Sequence, residues 1–365
     1  MKSVLLAFFR YHRNYHAGVA EFALENGWHL DAQMTVNQQL PKTWNGDGII
    51  SSLVPDKKIV AKVAGLKLPT VSIGPSYMNC PCVGTDAYES ADKVFTYFRT
   101  KGFRNFAFYQ EYPGKNFEPV ISLRKILDEN GFSIVDLTPD KYFDNWEDRS
   151  RALYENLKVL NFPAAVFCTR DNGGSEIIEV CHKYGIKVPE EISVMGRQND
   201  TLICETMRTA LTSLDVNMKM LGYKAAEQLK RLMDGEQVES FLAVSPGEIV
   251  ERRSTSSVAV DHKGIQEALF FIRNNYSRPV SVNEIALSCC LSERSLHRLF
   301  KQETGQTIKS VIQNVRMTEA CRLLKFTDFT VEYIASICGY PEVRNFYKAF
   351  RRCKGCTPDQ YRKSV

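Results

Sequence analysis

Two short stretches of this 365-residue chain carry the same arrangement of hydrogen-bond donors. The first holds Arg294, His297 and Arg298. The second holds Arg344, Tyr347 and Lys348, displaced by 50 residues in every case. Spacings of three and four place each trio on one face of a helix. Arginine can pair bidentately with guanine O6 and N7, and His, Tyr and Lys can donate to base edges or phosphates. A helix that merely faces water needs no matching partner of this kind. The chemistry indicated is the reading of duplex DNA.

Apolar residues behind these faces show which elements must hold them. One copy reads Ile285-Ala286, then Leu291, Leu296, Leu299 and Phe300; the other reads Ile334-Ala335, then Tyr340, Phe346, Ala349 and Phe350. The offset is 49 before the turn and 50 after it, so the second turn has one extra residue. Each copy predicts a short helix, a tight turn and a second helix. Gly339 suits a turn position that needs positive φ, whereas the first copy has the less comfortable Cys290 there. A longer helix over 308–325 joins the copies, with Met317, Ala320 and Leu324 on one face. A helical bundle that happens to repeat is the plainer alternative, and the matched basic faces argue against it.

Charge divides the chain in the same place. Residues 261–365 hold 17 Lys+Arg against 10 Asp+Glu, leaving 30 against 32 in the remainder. A basic unit joined to a nearly neutral one fits a polyanionic partner. With 44% hydrophobic and 24% charged residues, the chain reads as core-forming and not disordered. No apolar run approaches the roughly 20 residues that span a bilayer. The apolar opening at 4–9 is brief and no small-residue cleavage site follows, so a cytoplasmic protein without membrane contact is expected. Eleven scattered cysteines, among them Cys168, Cys181 and Cys321 in apolar segments, read as structural thiols. Cys353 and Cys356 have metal-ligand spacing but no second pair at zinc-finger distance, so neither metal nor cofactor is expected. Walker, Gly-x-Gly-x-x-Gly, HExxH and Gly-x-Ser-x-Gly motifs are absent from the sequence, which disfavours an enzyme.

Residues 251–264 are small and polar without periodicity. They suggest a front domain at 1–255, a linker at 256–263 and a second domain at 264–365. In the front domain, apolar runs at 4–9, 48–53, 70–74, 106–110, 164–168 and 192–196 alternate with helical patterns at 15–26, 87–101, 117–130, 147–160, 173–184 and 216–234. That alternation implies parallel sheets of right-handed βαβ units, either one large sheet or two similar lobes.

The stretches VNEIALSCCLSERSLHRLFKQETG, RMTEACRLL and VEYIASICGYPEVRNFYKAFRRCKGCTPDQYR resemble the DNA-binding domain of the AraC/XylS family of transcriptional regulators, over about residues 262–363. The resemblance implies recognition helices at 292–303 and 342–353. Base-facing residues would be Arg294, His297, Arg298, Val343, Arg344, Tyr347 and Lys348, with Arg351 and Lys354 on phosphates. The stretches GDGIISSL, LPTVSIGPSY, VGTDAYESADKVFTYFRTKGFRNFAFY, GIKVPEEISVMG and LTSLDVNMKMLGYKAAEQL resemble the sugar-sensing domain of LacI/GalR repressors, itself similar to periplasmic sugar-binding proteins. The implied fold is an α/β two-lobed, periplasmic-binding-protein-like sensor domain followed by an all-α domain with two helix-turn-helix units. LacI-type repressors carry their DNA-binding unit in front. Here it comes last, an order that resembles regulators activating pentose-use operons. The resemblance also implies a homodimer on a double-stranded operator, with RNA polymerase as a further candidate partner.

In a sensor of that kind the ligand lies between the lobes, at the carboxyl ends of strands. Candidate contacts are then Tyr11, His12, Arg13 and Asn14 after the first strand, Asp86 in Gly84-Thr85-Asp86, and Arg170 and Asp171 after Cys168. Arg197, Gln198 and Asn199 follow Gly196, and Phe117 and Trp146 could supply aromatic walls. Planar polar groups pair with sugar hydroxyls and an aromatic face meets the ring's C–H side. Three positions depart from the family pattern. In the Gly-x-Asp-Asn stretch usual after the strand at 192–196, Gly196-Arg197-Gln198-Asn199 has Gln198 in place of Asp; Ile121 stands where Arg is usual, and Arg170 where Asn is usual. Losing a carboxylate and an arginine while gaining two other arginines leaves a carbohydrate, an anionic sugar derivative or no small molecule as the effector. Three function classes stay open. The expected one is a ligand-gated DNA-binding regulator, an activator of a carbohydrate-use operon. The others are a DNA-binding regulator whose front domain only dimerises, and a sugar-binding module whose helical tail docks a partner. The matched recognition helices disfavour the last.

Overall fold

The first strand shows why the front of the chain folds as a buried parallel sheet. In β1 (Ser3–Phe8), Val4 to Phe8 are wholly buried, as a strand covered on both faces requires. Val4, Leu6 and Phe8 pack with Val19 and Phe22 of α1 (Arg13–Glu25), while Leu5 and Ala7 pack on the other side with Ile49 and Val63. This computed structural model describes residues 1–9, 11–34, 39–41, 44–53, 56–74, 77–111 and 117–364.

Lobe 1 is a parallel sheet of β1, β2 (His29–Asp31), β3 (Gly48–Ser52), β4 (Thr70–Ile73), β5 (Cys82–Thr85) and β11 (Phe241–Val244), in the order β11-β5-β4-β3-β1-β2. Helix α2 (Lys57–Gly65) links β3 to β4. Lobe 2 repeats the scheme with β6 (Asn105–Tyr109), β7 (Ile134–Asp136), β8 (Ala164–Cys168), β9 (Ile192–Arg197), β10 (Thr212–Leu214) and β12 (Ile249–Val250). Its order is β12-β10-β9-β8-β6-β7, and β12 runs antiparallel. Two lobes, not one large sheet, are therefore formed. The chain passes between them three times: through α3 (Ala87–Thr100), from β10 to α8 (Met218–Met233), and from β11 to β12. Strand order reverses around β1 in lobe 1 and around β6 in lobe 2, which opens a crevice at their carboxyl ends. Lobe 2 is completed by α4 (Glu118–Glu129), α5 (Trp146–Leu157), α6 (Asp171–Tyr184) and α7 (Thr201–Thr206).

Helix α8 returns to lobe 1 and lies directly on α1. A Cβ at Gly18 would fall 1.8 Å from the Lys219 carbonyl oxygen, and one at Gly222 would fall 2.1 Å from that of Tyr15. The two glycines thus let the backbones touch and fix Tyr15 at the mouth of the crevice.

The remaining residues are helical: α9 (Lys263–Asn275), α10 (Val282–Ser288), α11 (Glu293–Thr304), α12 (Ile308–Phe326), α13 (Val331–Ile337), α14 (Val343–Lys354) and α15 (Pro358–Ser364). Ser281 and Glu284 form a capping box, and Ser292, Thr307 and Thr330 each accept an amide three residues on. Leu296 and Phe300 share a core with Ile265 and Leu269 of α9, while Phe346 and Phe350 share one with Met317 and Leu324 of α12. Among the described residues, no helix is long and apolar enough to cross a membrane.

The stretch joining the two parts is sewn to lobe 2. Ser254 Oγ donates to the Val194 carbonyl, Thr255 Oγ1 meets Tyr97 and Thr212, and Arg252 pairs with Glu205. Residues 256–262 have no regular structure, yet Ser257 and Val260 are buried and the Ala259 amide donates to the Lys101 carbonyl. The join is a packed seam, not a free tether.

Both helix-turn-helix turns pass through the left-handed region, with φ of 54° at Cys290 and 78° at Gly339. A side chain there costs about 1 kcal/mol. Cys290→Gly is therefore expected to raise the melting temperature of the helical part. Gly339→Ala is expected to lower it by more, because its Cβ would stand 2.4 Å from the Tyr276 carbonyl oxygen. Calorimetry of the full chain measures both.

Candidate functional site

Arg294, His297 and Arg298 stand exposed on α11, opposite the buried Leu296 and Phe300. Arg344 and Lys348 stand equally exposed on α14, opposite Phe346 and Phe350, with Arg351 and Lys354 further along the same helix. Val343 is half-buried against the second core. Tyr347 departs from the expected role. Its hydroxyl donates to Asp359 of α15 at 2.7 Å, a bond that pushes its pKa up to about 12. The hydroxyl is engaged within the protein, and its ring is what remains for a partner.

One residue of the joining helix holds the two units together. Arg316 Nε of α12 donates to the Tyr276 carbonyl at 2.8 Å, and a terminal nitrogen donates to the Arg278 carbonyl at 3.0 Å. Its guanidinium also lies 5.3 Å from the Tyr340 ring, just past the second turn. The end of α9, the middle helix and the second turn therefore share one clamp, and the two basic faces are fixed relative to each other.

The crevice between the lobes gathers some of the expected contacts. Arg197, the last residue of β9, lies over the Phe117 ring at 5.3 Å. Burial, with neighbouring Arg170 adding to it, pushes its guanidinium down to about 10, against the opposing pull of Tyr15 and Asp171. Tyr15 reaches the group from lobe 1; burial raises its phenol, and Arg197 and Arg170 pull it back. Tyr15 was not among the residues expected here, since a tyrosine at an apolar helix position reads as core. Arg170 is half-exposed, 3.9 Å from Glu111. Gln198 follows Arg197 at φ 117°, its amide bonded to the Leu214 carbonyl.

Other expected contacts serve the scaffold. Asp171, 1% exposed, accepts from Ser213 Oγ at 2.5 Å and from the Asp200 amide at 2.7 Å, so it ties the start of α6 to β10 and to the loop after β9 and is no longer assigned to a ligand. The Asn199 amide oxygen is taken by Arg252 at 2.8 Å, which likewise makes it structural. Asp86 caps α3 through the Glu89 amide at 2.8 Å. Tyr11 pairs with His16 at 3.2 Å, Arg13 and Asn14 open α1 in solvent, and His12 packs edge-on to Tyr15. Trp146 stands exposed at the start of α5, and Ile121 is also exposed. Beside the crevice, Arg149 donates to Tyr109 at 2.7 Å and to Glu176 at 2.8 Å, and Tyr109 donates to Glu176, a polar network that no sequence spacing indicated.

Comparison with known proteins places both halves. Residues 285–364 match a helix-turn-helix domain model and residues 95–255 a periplasmic binding protein-like domain model. The chain is 29% identical to the xylose operon regulatory protein of Escherichia coli K12 over 368 aligned positions, covering 96% of this chain and 94% of that one. A solved xylose-binding transcription activator superposes over 100% of this chain and 98% of its own, with a TM-score of 0.81 and 26% identity. A LacI regulator from Bacillus cereus shares the fold of the front domain, at TM-score 0.53 and 20% identity over 70% of this chain. Along nearly its whole length the chain is similar to transcriptional regulators of the AraC/XylS type. Its sensor is of the LacI type, and it is a DNA-binding protein.

In this chain the DNA-reading domain is anchored on lobe 2. Glu190, just before β9, forms an ion pair with Arg273 of α9; they are 2% and 4% exposed. Arg273 also donates to the Ser256 carbonyl at 2.8 Å, and Lys187 pairs with Glu267. Strand β9 thus has the anchor at its start and Arg197 at its end. Removing one member of a buried pair leaves the other charge uncompensated, a loss of about 3–5 kcal/mol. Arg273→Met is expected to lower the full-chain melting temperature and split the transition in two. The double change with Glu190→Gln is expected to recover most of the loss, as read by calorimetry.

Proposed function

We propose that this regulator is gated by a carbohydrate effector bound between the sensor lobes and activates a carbohydrate-use operon. Each subunit sets α11 and α14 into successive major grooves on one face of the duplex, about 34 Å apart. Arg294, His297 and Arg298 read one groove, and Arg344 and Lys348 read the next, with Arg351 and Lys354 on phosphates. The observation that carries this reading is the pair of equally exposed basic faces locked together through Arg316. The xylose names of its relatives support a sugar effector, and a LacI-type sensor supports pairing of two subunits. Two tandem half-sites would then bind with raised effective concentration. Contact with RNA polymerase supplies activation. We take the protein to act in the cytoplasm without catalysis of its own.

Arg294→Ala and Arg344→Ala should each weaken a specific operator by about 1–3 kcal/mol and relax base preference at positions about ten base pairs apart. Fluorescence anisotropy on specific and random duplexes across a salt series measures this. Equal loss on both DNAs would reassign that arginine to phosphate contact. The full chain should sediment as a dimer without DNA at micromolar concentration; a monomer would remove the avidity argument.

A further inference from the structure

Within that effector-gated reading, the crevice group points to one ligand chemistry. Arg197 Nε is shut off from solvent and has no hydrogen-bond partner among the described residues. A buried donor left unfilled is unfavourable unless something supplies an acceptor. The nearby carboxylates are committed elsewhere. Asp171 already accepts from Ser213 and Asp200, and Glu176 is held by Arg149 and Tyr109. Glu111 lies beside Arg170 at 3.9 Å, an ion pair longer than a hydrogen bond. Arg170 and Arg197 also repel one another. An acceptor carrying negative charge would relieve both the unfilled donor and the repulsion. Phe117, under the Arg197 guanidinium, and Tyr15, reaching over from lobe 1, offer an apolar face and a phenol for the uncharged remainder of the ligand.

We infer that the effector is an anionic monosaccharide, a sugar carboxylate or sugar phosphate, whose charged group is received by Arg197 and Arg170 while its ring rests between Phe117 and Tyr15. Asp171 and Asn199 shape the loops behind the guanidinium without touching the ligand.

Isothermal titration of the full chain tests this with matched probes: xylose, glucose and galactose as neutral sugars, glucuronate and galacturonate as carboxylates, and xylose 5-phosphate and glucose 6-phosphate as phosphates. At least one anionic probe is expected to bind tenfold or more tightly than its neutral parent, and the series it comes from identifies the charged group. Arg197→Gln should weaken that probe at least tenfold while leaving the melting temperature of the free protein within a few degrees. Arg170→Gln gives a second reading should Arg197→Gln fail to fold. A neutral sugar binding as tightly as its anionic derivatives overturns this inference and leaves the effector-gated reading in place. Absence of binding by every probe, charged or neutral, overturns both.

Discussion

Everything that happens at the DNA-reading helices is referred to one buried contact, the ion pair between Glu190 and Arg273. Two charges removed from water tolerate little freedom, because any separation exposes each to an apolar surrounding. The Ser256 carbonyl and the Lys187–Glu267 pair flank this contact, so helix α9 is held at several points along its length. Since α9 also supplies Ile265, Leu269 and Ile272 to the first helix-turn-helix core, the orientation of that unit follows from the anchor. Arg316 then passes the same orientation to the second unit through the end of α9. Two clamps in series set where both basic faces lie relative to the sensor.

The sensor has its own constraint. Arg197 keeps an unfilled donor at the end of β9 because Asp171, the carboxylate behind it, is engaged by Ser213 and the Asp200 amide. A carboxylate free to turn toward the guanidinium would fill the donor and quench the crevice. Ser213, Asp200, Asn199 and Arg252 make up a hydrogen-bonded frame around a charge they do not neutralise. Such preorganised frames favour a ligand that brings its own charge over one that must compete with internal pairs.

The parts legible in the sequence were those whose signal repeats or runs long. Five-residue apolar runs such as Ala164–Cys168 announce a strand buried on both faces, whereas β2, β7, β10 and β12 have two or three residues each, too few for a period. The second helix-turn-helix explained the first, because Gly339 showed what conformation Cys290 has to adopt. Asp171 and Asn199 misled because a polar residue after a strand looks the same whether it faces a ligand or ties down a neighbouring loop. Glu190 and Arg273 lie 83 residues apart and each reads as an ordinary surface charge until the fold buries both. Tyr15 lies on a helix and not in a loop after a strand, so no positional signal separates it from the rings that pack in the core.

The three passages of chain between the lobes make the sensor a jaw with a single fulcrum, and the DNA-reading domain is riveted to one side of it. If a ligand closed the jaw, lobe 1 would swing while lobe 2 and its passenger helices travelled as one piece. The subunit's own reading heads would then undergo no displacement relative to each other. The message has to be taken up by whatever leans on lobe 1, and a second subunit standing there would convert the bite into a change in the distance between two pairs of heads. In that design a lone subunit would be deaf to its effector, and hearing would be a property of the pair.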